Sequence, residues 1–129
     1  MKKRYLISAF IAALVLTGCS SSGSATNLDS QAFSKKAAES GVVLLDVRTP
    51  AEFAAGHIQG AINIDVEGMQ FNSDVAKLDP SASYAVYCQS GRRSGIAVNA
   101  MSDAGFTSLF NLSKGISDWS SKGLPVTTQ

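Results

Sequence analysis

Between Tyr84 and Met101 the chain reads YAVYCQSGRRSGIAVNAM. An apolar run stops at Cys88, a loop of Gln89, Ser90, Gly91, Arg92, Arg93 and Ser94 follows, and apolar residues then resume at a helical period. These residue types suit nucleophilic chemistry by sulfur. Ligands of open α/β sheets gather at the carboxyl ends of the strands, which is where Cys88 stands if YAVY is a strand. The backbone N–H groups of QSGRRS could converge on whatever the sulfur carries, with the positive end of the following helix behind them. Gly91 allows a tight turn and close backbone approach, while Arg92 and Arg93 add positive charge. All of this favours the thiolate. A free thiol with a pKa of about 8.5 is only about 3% ionised near pH 7, and a depression of about two units makes it mostly thiolate without a dedicated base. The competing reading is a buried structural cysteine, against which the Gly/Arg loop and the helix both argue.

The loop needs a framework, and the flanking sequence supplies one. GVVLLDV (41–47), GAINIDV (60–66), SYAVYC (83–88) and SLFNL (108–112) are short apolar runs. The first and third scarcely alternate with polar residues, as expected of strands buried on both faces of a parallel sheet. Helical patterns lie between them. Asp29 or Ser30 can cap a helix that Gly41 stops. Thr49, Pro50 and Glu52 combine a capping box with proline at the first helical position. After the loop, Ile96, Ala97, Ala100, Met101 and Ala104 share one helical face that Gly105 ends. A last short helix in GISDWSSKG can seat Trp119 in the core. The alternation predicts a compact α/β domain with helices on both faces of the sheet.

Three stretches then resemble one family. CQSGRRS is similar to the active-site loop of the rhodaneses; DVRTPAEFAAGHIQGAINI (46–64) resembles their amino-terminal motif and GISDWSSKGLPV (115–126) their carboxy-terminal one. The resemblance covers nearly all of residues 27–126. It implies a rhodanese-like three-layer domain around a mainly parallel sheet, and a sulfurtransferase activity. Cys88 would take the sulfane sulfur of a small anionic donor such as thiosulfate, hold it as a persulfide, and yield it to a cyanide-like or thiol acceptor. The loop from Gln89 to Ser94 would bind the donor, its amides stabilising the persulfide and Arg93, aided by Arg92, attracting the anion. No metal or organic cofactor is implied. At the family's other marked positions, Asp46 and Arg48 read first as a structural ion pair and His57 as a stabiliser of the fold. Glu52 reads as a helix cap, Tyr84, Tyr87 and Trp119 as core or pocket wall, and Lys35 and Lys36 as a solvated helix face.

Three other classes compete. A cysteine phosphatase or arsenate reductase shares the cysteine, the amide-lined loop and the arginine, but needs five residues between cysteine and arginine; Cys88 and Arg93 are separated by four. A thioredoxin-like oxidoreductase would need C-x-x-C, which does not occur. A non-catalytic carrier or adaptor module of the same fold would commonly have lost the cysteine.

The amino-terminal stretch MKKRYLISAFIAALVLTGC has a charged segment, an apolar segment short for a membrane span, and small residues before Cys19. It resembles a bacterial lipoprotein signal, which implies removal of residues 1–18, lipidation of Cys19, a flexible tether over 19–26 and a domain over 27–129. An ordinary signal peptide or an uncleaved anchor are the alternatives. Loss of Lys2, Lys3 and Arg4 turns 11 basic and 10 acidic residues into 8 and 10, a net charge of −2. That balance offers no basic face for nucleic acid. With Cys19 lipidated, Cys88 has no disulfide partner in its own chain. Ser20 stands where aspartate marks inner-membrane retention in many enteric bacteria, so the expected location is the outer membrane, facing the periplasm.

Overall fold

The computed structural model describes residues 25–129; the signal over 1–18 and Cys19 lie outside the described residues. Among the described residues, β1 (Thr26–Leu28), β2 (Val42–Asp46), β3 (Ile62–Asn63), β4 (Ser83–Tyr87) and β5 (Ser108–Leu112) form one sheet in the order β1-β5-β4-β2-β3. Every strand pair is parallel. The helices are α1 (Ser30–Ala37), α2 (Pro50–Ala55), α3 (Phe71–Val75), α4 (Arg92–Asp103) and α5 (Gly115–Ser121).

The pleat of β4 sorts the core into two layers. Tyr84, Val86 and, just past the strand, Cys88 pack with Phe71, Val75, Ala97, Val98 and Met101 of α3 and α4. Ala85 and Tyr87 turn the other way, towards Phe33 of α1 and Ile116 and Trp119 of α5. An apolar residue is therefore needed at every position from Tyr84 to Tyr87, which explains the unalternating run. Trp119 sits in this second layer as expected, edge-on to Phe33 with its indole N–H donating to the Pro125 carbonyl at 3.0 Å. The domain is the three-layer α/β arrangement that the sequence predicts.

Topology then sets the place for a ligand. From β2 the chain moves outward to β3, whereas from β4 it moves to β5 on the opposite side. β2 and β4 are neighbours, with Asp46 beside Tyr87 in register. Their carboxyl ends thus flank the point where the winding reverses, and crevices of open α/β sheets form at such points. The segments that emerge there begin at Val47 and at Cys88.

Several boundaries differ from the predicted ones. β1 opens at Thr26, the last residue assigned to the tether, and its polar TNL becomes a strand only by pairing with β5. α3 has no side-chain cap and was not foreseen. β3 has only two residues, and at its end the Asn63 side-chain amide donates to the Asp46 and Arg48 carbonyls (3.0 and 2.8 Å). α1, capped by Asp29, ends at Ala37, short of Gly41. On α4 the buried face is Ser94, Ala97, Val98 and Met101, whereas Ile96 is 50% exposed. The helix starts directly from the cysteine loop, and its phase turns Ser94 inward together with the apolar Ala97, Val98 and Met101.

Gly115 holds the loop after β5 against the loop after β4. Its φ is +71°, and a Cβ there would collide with the Gln89 carbonyl. Gly115→Ala should therefore lower stability in urea denaturation by at least the roughly 1–3 kcal/mol of a strained left-handed residue. Gly95→Ala, in a helical position with open space around the new methyl, should instead be neutral or stabilise by up to about 1 kcal/mol. Equal effects of the two would show that the close approach has no energetic weight.

Candidate active site

Cys88 is wholly buried, one residue beyond the end of β4. Its carbonyl accepts from the Ile116 amide (2.9 Å), and the Gln89 carbonyl accepts from the Ser117 amide (3.2 Å), so the first turn of α5 is stapled to the loop. Gly91, with φ of +101°, turns the chain into α4. The turn brings its own amide to 3.1 Å from the Cys88 Sγ. A Cβ on Gly91 would strike the Ser113 carbonyl. The thiol donates to the Ser94 hydroxyl at 3.3 Å, and that hydroxyl donates to the Gly91 carbonyl at 3.2 Å. On ionisation of the sulfur the hydroxyl can rotate to donate to it.

Burial of the thiol pushes its pKa up, but hydrogen bonds from the Ser94 side chain and the Ser94, Gly91 and Ser90 amides together outweigh it and leave the pKa below the ordinary value. The balance follows from substitution: donors fixed by the fold replace the water that burial removes. The arrangement can hold a sulfur anion.

Arg92 and Arg93 flank the loop but are not free charges. Arg93 makes a two-pronged pair with Glu52, Nη1 to Oε1 at 2.7 Å and Nη2 to Oε2 at 2.9 Å. Arg92, largely exposed, reaches Glu67 at 3.2 Å. Two arginines thus meet two glutamates at the rim. The Thr49 and Glu52 capping box is formed as the sequence predicts, but Glu52 has a second task that the motif does not reveal. Its partner lies 41 residues away, and no local signal marks the pairing; the contact of Arg92 with Glu67, 25 residues apart, is equally illegible in the local sequence. Arg93, through its hydrogen bonds to Glu52, is pushed further up, and Glu52 is held down at about 2.

Beneath the loop lies the Asp46 and Arg48 pair. Arg48 Nε is 3.1 Å from both Asp46 carboxylate oxygens and Nη2 is 2.7 Å from Oδ2, with both residues buried. Nη2 also donates to the Gly56 carbonyl (2.7 Å) and Nη1 to the Gln89 side-chain carbonyl (3.3 Å). Burial alone would lower the Arg48 pKa, but the Asp46 hydrogen bonds and charge raise it overall. The ion-pair reading of these two residues agrees with this geometry, and the link to Gln89 also ties the pair to the loop. His57 is engaged elsewhere. Its ring stacks on Phe53 at 3.7 Å, and its nitrogens lie 2.8 Å from the Phe53 carbonyl and 3.1 Å from that of Gln129. Tyr84 and Tyr87 are buried, the Tyr84 hydroxyl donating to the Asp79 carbonyl and the Tyr87 hydroxyl accepting from the Ile58 amide. Ser90 is exposed, and its amide is one of those turned to the sulfur.

Beside the loop opens a cleft of about 500 Å³ lined by Arg48, Glu52, Gln89, Ser117, Ser120 and Val126, among others.

With this geometry in place, residues 29–122 match the family model of the rhodanese-like domain. The chain belongs to the rhodanese-like family. It is 41% identical over 92 residues to the chloroplastic thiosulfate sulfurtransferase 16 of Arabidopsis thaliana, covering 64% of this chain and 77% of that protein. A sulfurtransferase of Allochromatium vinosum is 32% identical over 100 residues, covering 77% of this chain and 92% of the relative. Among solved structures, a rhodanese-related protein from Thermoplasma volcanium superposes with a TM-score of 0.71 at 28% identity, over 81% of this chain and 99% of that one. At the level of the family, the chemistry is sulfur transfer. Among the described residues of this rhodanese-like domain, no helix is long and apolar enough to cross a membrane.

The Glu52 and Arg93 pair can be tested by pH. A carboxylate held near a pKa of about 2 contributes stability above its unfolded value of about 4.3 and loses it as the pH falls through about 2. Glu52→Gln keeps the capping box, since glutamine serves at that position, and removes the charge. At pH 7 it should cost about 1 kcal/mol in urea denaturation, as expected of a partly exposed pair. The gap between variant and parent should close between about pH 4.3 and 2; a gap independent of pH would mean that the pair carries no charge-dependent stability.

Proposed function

We propose that this rhodanese-like domain is a catalytically active sulfurtransferase working through a persulfide on Cys88. The observation that carries the reading is a buried sulfur ringed by the Gly91 amide and the Ser94 hydroxyl, at a pKa below the ordinary thiol value. The thiolate attacks the outer sulfur of a donor such as thiosulfate. A sulfur–sulfur bond forms to Cys88 while the donor's own breaks, and the electron pair leaves with sulfite. The outer sulfur of the resulting persulfide carries the negative charge, which the loop amides stabilise. An acceptor thiolate or cyanide then attacks that outer sulfur, and the electron pair of the broken bond returns to Cys88. Two half-reactions through one covalent intermediate imply ping-pong kinetics. Asp46 and Arg48 act as positioning residues that brace the loop through Gln89. Support for thiosulfate as a donor comes from the Arabidopsis relative, which bears that name.

Intact-mass measurement tests the reading. Thiosulfate should add one sulfur atom, about 32 Da, as expected for covalent catalysis by one nucleophile, and Cys88→Ser should abolish the adduct. A protein that takes up no sulfur from any sulfane donor is a non-catalytic adaptor, and the proposal falls.

We further propose that Cys19 carries the lipid and places the domain at a bacterial membrane, with the outer membrane facing the periplasm as the preferred site. More than one acyl chain on a residue gives the firm anchoring that a single chain does not. In cells labelled with palmitate, the parent chain should take up label and sediment with membranes, while Cys19→Ala should do neither. An unlabelled parent chain would rule out the anchor.

A further inference from the structure

We propose that Glu67 is a specificity-determining residue: its carboxylate competes with an anionic sulfur donor for Arg92 and Arg93, and so weighs against doubly charged donors relative to singly charged ones. The inference rests on the sulfur-transfer reading above and concerns the choice of donor in its first half-reaction.

The place of Glu67 is the first argument. Cys88 is wholly buried, so an incoming donor meets the rim before it meets the sulfur. There the Arg92 and Glu67 side chains are 70% and 58% exposed. One carboxylate oxygen, Glu67 Oε1, lies 3.2 Å from Arg92 Nη2 and 4.0 Å from Arg93 Nε. It holds the position between two guanidinium groups that an oxygen of an anionic donor would otherwise take.

The second argument is how Glu67 is held. The Val66 amide donates to the Val47 carbonyl at 3.1 Å, and the Gly68 amide to the Asp65 carbonyl at 3.0 Å. The Glu67 amide itself donates to the Asp65 carboxylate at 2.9 Å. The turn after β3 is thereby tied to the segment after β2, at the same end of the sheet as the cysteine loop. The fold presents the carboxylate to the arginines.

Charge is the third argument. Arg93 is already gripped by both oxygens of Glu52. With Glu67 added, the charges of Arg92, Arg93, Glu52 and Glu67 cancel; without it they would leave one positive charge. Arg93 also feels the charge of the Cys88 sulfur, so rim and nucleophile share one electrostatic environment. A Coulomb energy is proportional to the charge of the ligand. The penalty set by Glu67 is therefore twice as large, in free energy, for a dianion as for a monoanion.

Two donors of one chemistry expose the difference. Thiosulfate carries two negative charges; methanethiosulfonate has a methyl group in place of one oxygen and carries one. With either, the Cys88 thiolate attacks the outer sulfur and a sulfur–sulfur bond forms to Cys88. The donor's own sulfur–sulfur bond breaks, and its electron pair leaves with sulfite or methanesulfinate. No outside oxidant or reductant is needed.

The experiment measures kcat/KM for both donors, with cyanide as the acceptor, on the parent protein and on Glu67→Gln. The variant should raise kcat/KM for thiosulfate about two- to fivefold through a lower KM, the worth of one exposed ion pair. For methanethiosulfonate the gain should be about the square root of that factor. At about 1 M salt, where the screening length is about 3 Å, both gains should vanish. Glu39→Gln removes an exposed carboxylate that pairs with Lys36 just before β2, at the opposite end of the sheet, and should change neither donor. An unchanged kcat/KM, equal gains for the two donors, gains that survive high salt, or the same gains in Glu39→Gln overturn the role of Glu67 while leaving the persulfide intact. A parent protein that takes up sulfur from neither donor overturns the sulfur-transfer reading instead.

Discussion

Folding takes the water away from Cys88, and a sulfur anion in that position survives only if fixed donors take the water's place. The Gly91 amide at 3.1 Å is one such donor, assisted by the Ser90 and Ser94 amides, and the Ser94 hydroxyl at 3.3 Å becomes another when it turns its hydrogen from the Gly91 carbonyl to the sulfur. Each owes its place to something further out. The Gly91 amide is aimed by a left-handed turn that packs against the Ser113 carbonyl. Ser94 is aimed by the phase of α4, and the base of the loop is stapled to α5 across Gly115. The loop is thus the meeting point of β4, α4 and the segment after β5, which are adjacent only because the sheet is wound in its particular order.

The rim follows a different logic from the centre. The centre stabilises charge with neutral donors, whereas the rim pairs each arginine with a carboxylate. A two-pronged guanidinium and carboxylate pair has fixed geometry, so Arg93 is better suited to holding α2 against the loop than to roaming after an anion. Arg92 and Arg93 thus each face a carboxylate, Glu67 and Glu52, across the rim. The buried Asp46 and Arg48 pair repeats the device under the loop, where breaking it by removing one partner would leave a buried charge and cost on the order of 3–5 kcal/mol.

The two layers of the core divide the labour. The layer of α3 and α4 holds the sulfur, and the layer of α1 and α5 holds the wall of the cleft. Tyr87 belongs to the second layer and lies with its ring 5.8 Å from the Arg48 guanidinium. The alternation of β4 therefore joins the pocket for sulfur on one face to the support for the cleft on the other.

Much of this could be read from the residues alone. The run YAVY is apolar at every position because both faces are buried, and T-P-A-E is a capping box because a helix start needs its donors satisfied locally. Such features depend on neighbours in the chain, so sequence determined them, together with the cysteine, the glycine and the length of the loop that separates this site from a phosphatase cradle. Long-range choices were not legible. The strand β1 exists only through β5, the phase of α4 turns Ser94 in towards the sulfur and Ile96 out, and Glu52 finds Arg93 across 41 residues. Those outcomes depend on which surfaces meet once the sheet has wound, and the energy that selects them arises only in the packed state. The sequence determined that a cysteine would stand at a strand end ahead of a Gly/Arg loop; the tertiary structure decided which groups surround its sulfur, because the Gly91 amide and the Ser94 hydroxyl reach it only once β4, α4 and the segment after β5 have packed together.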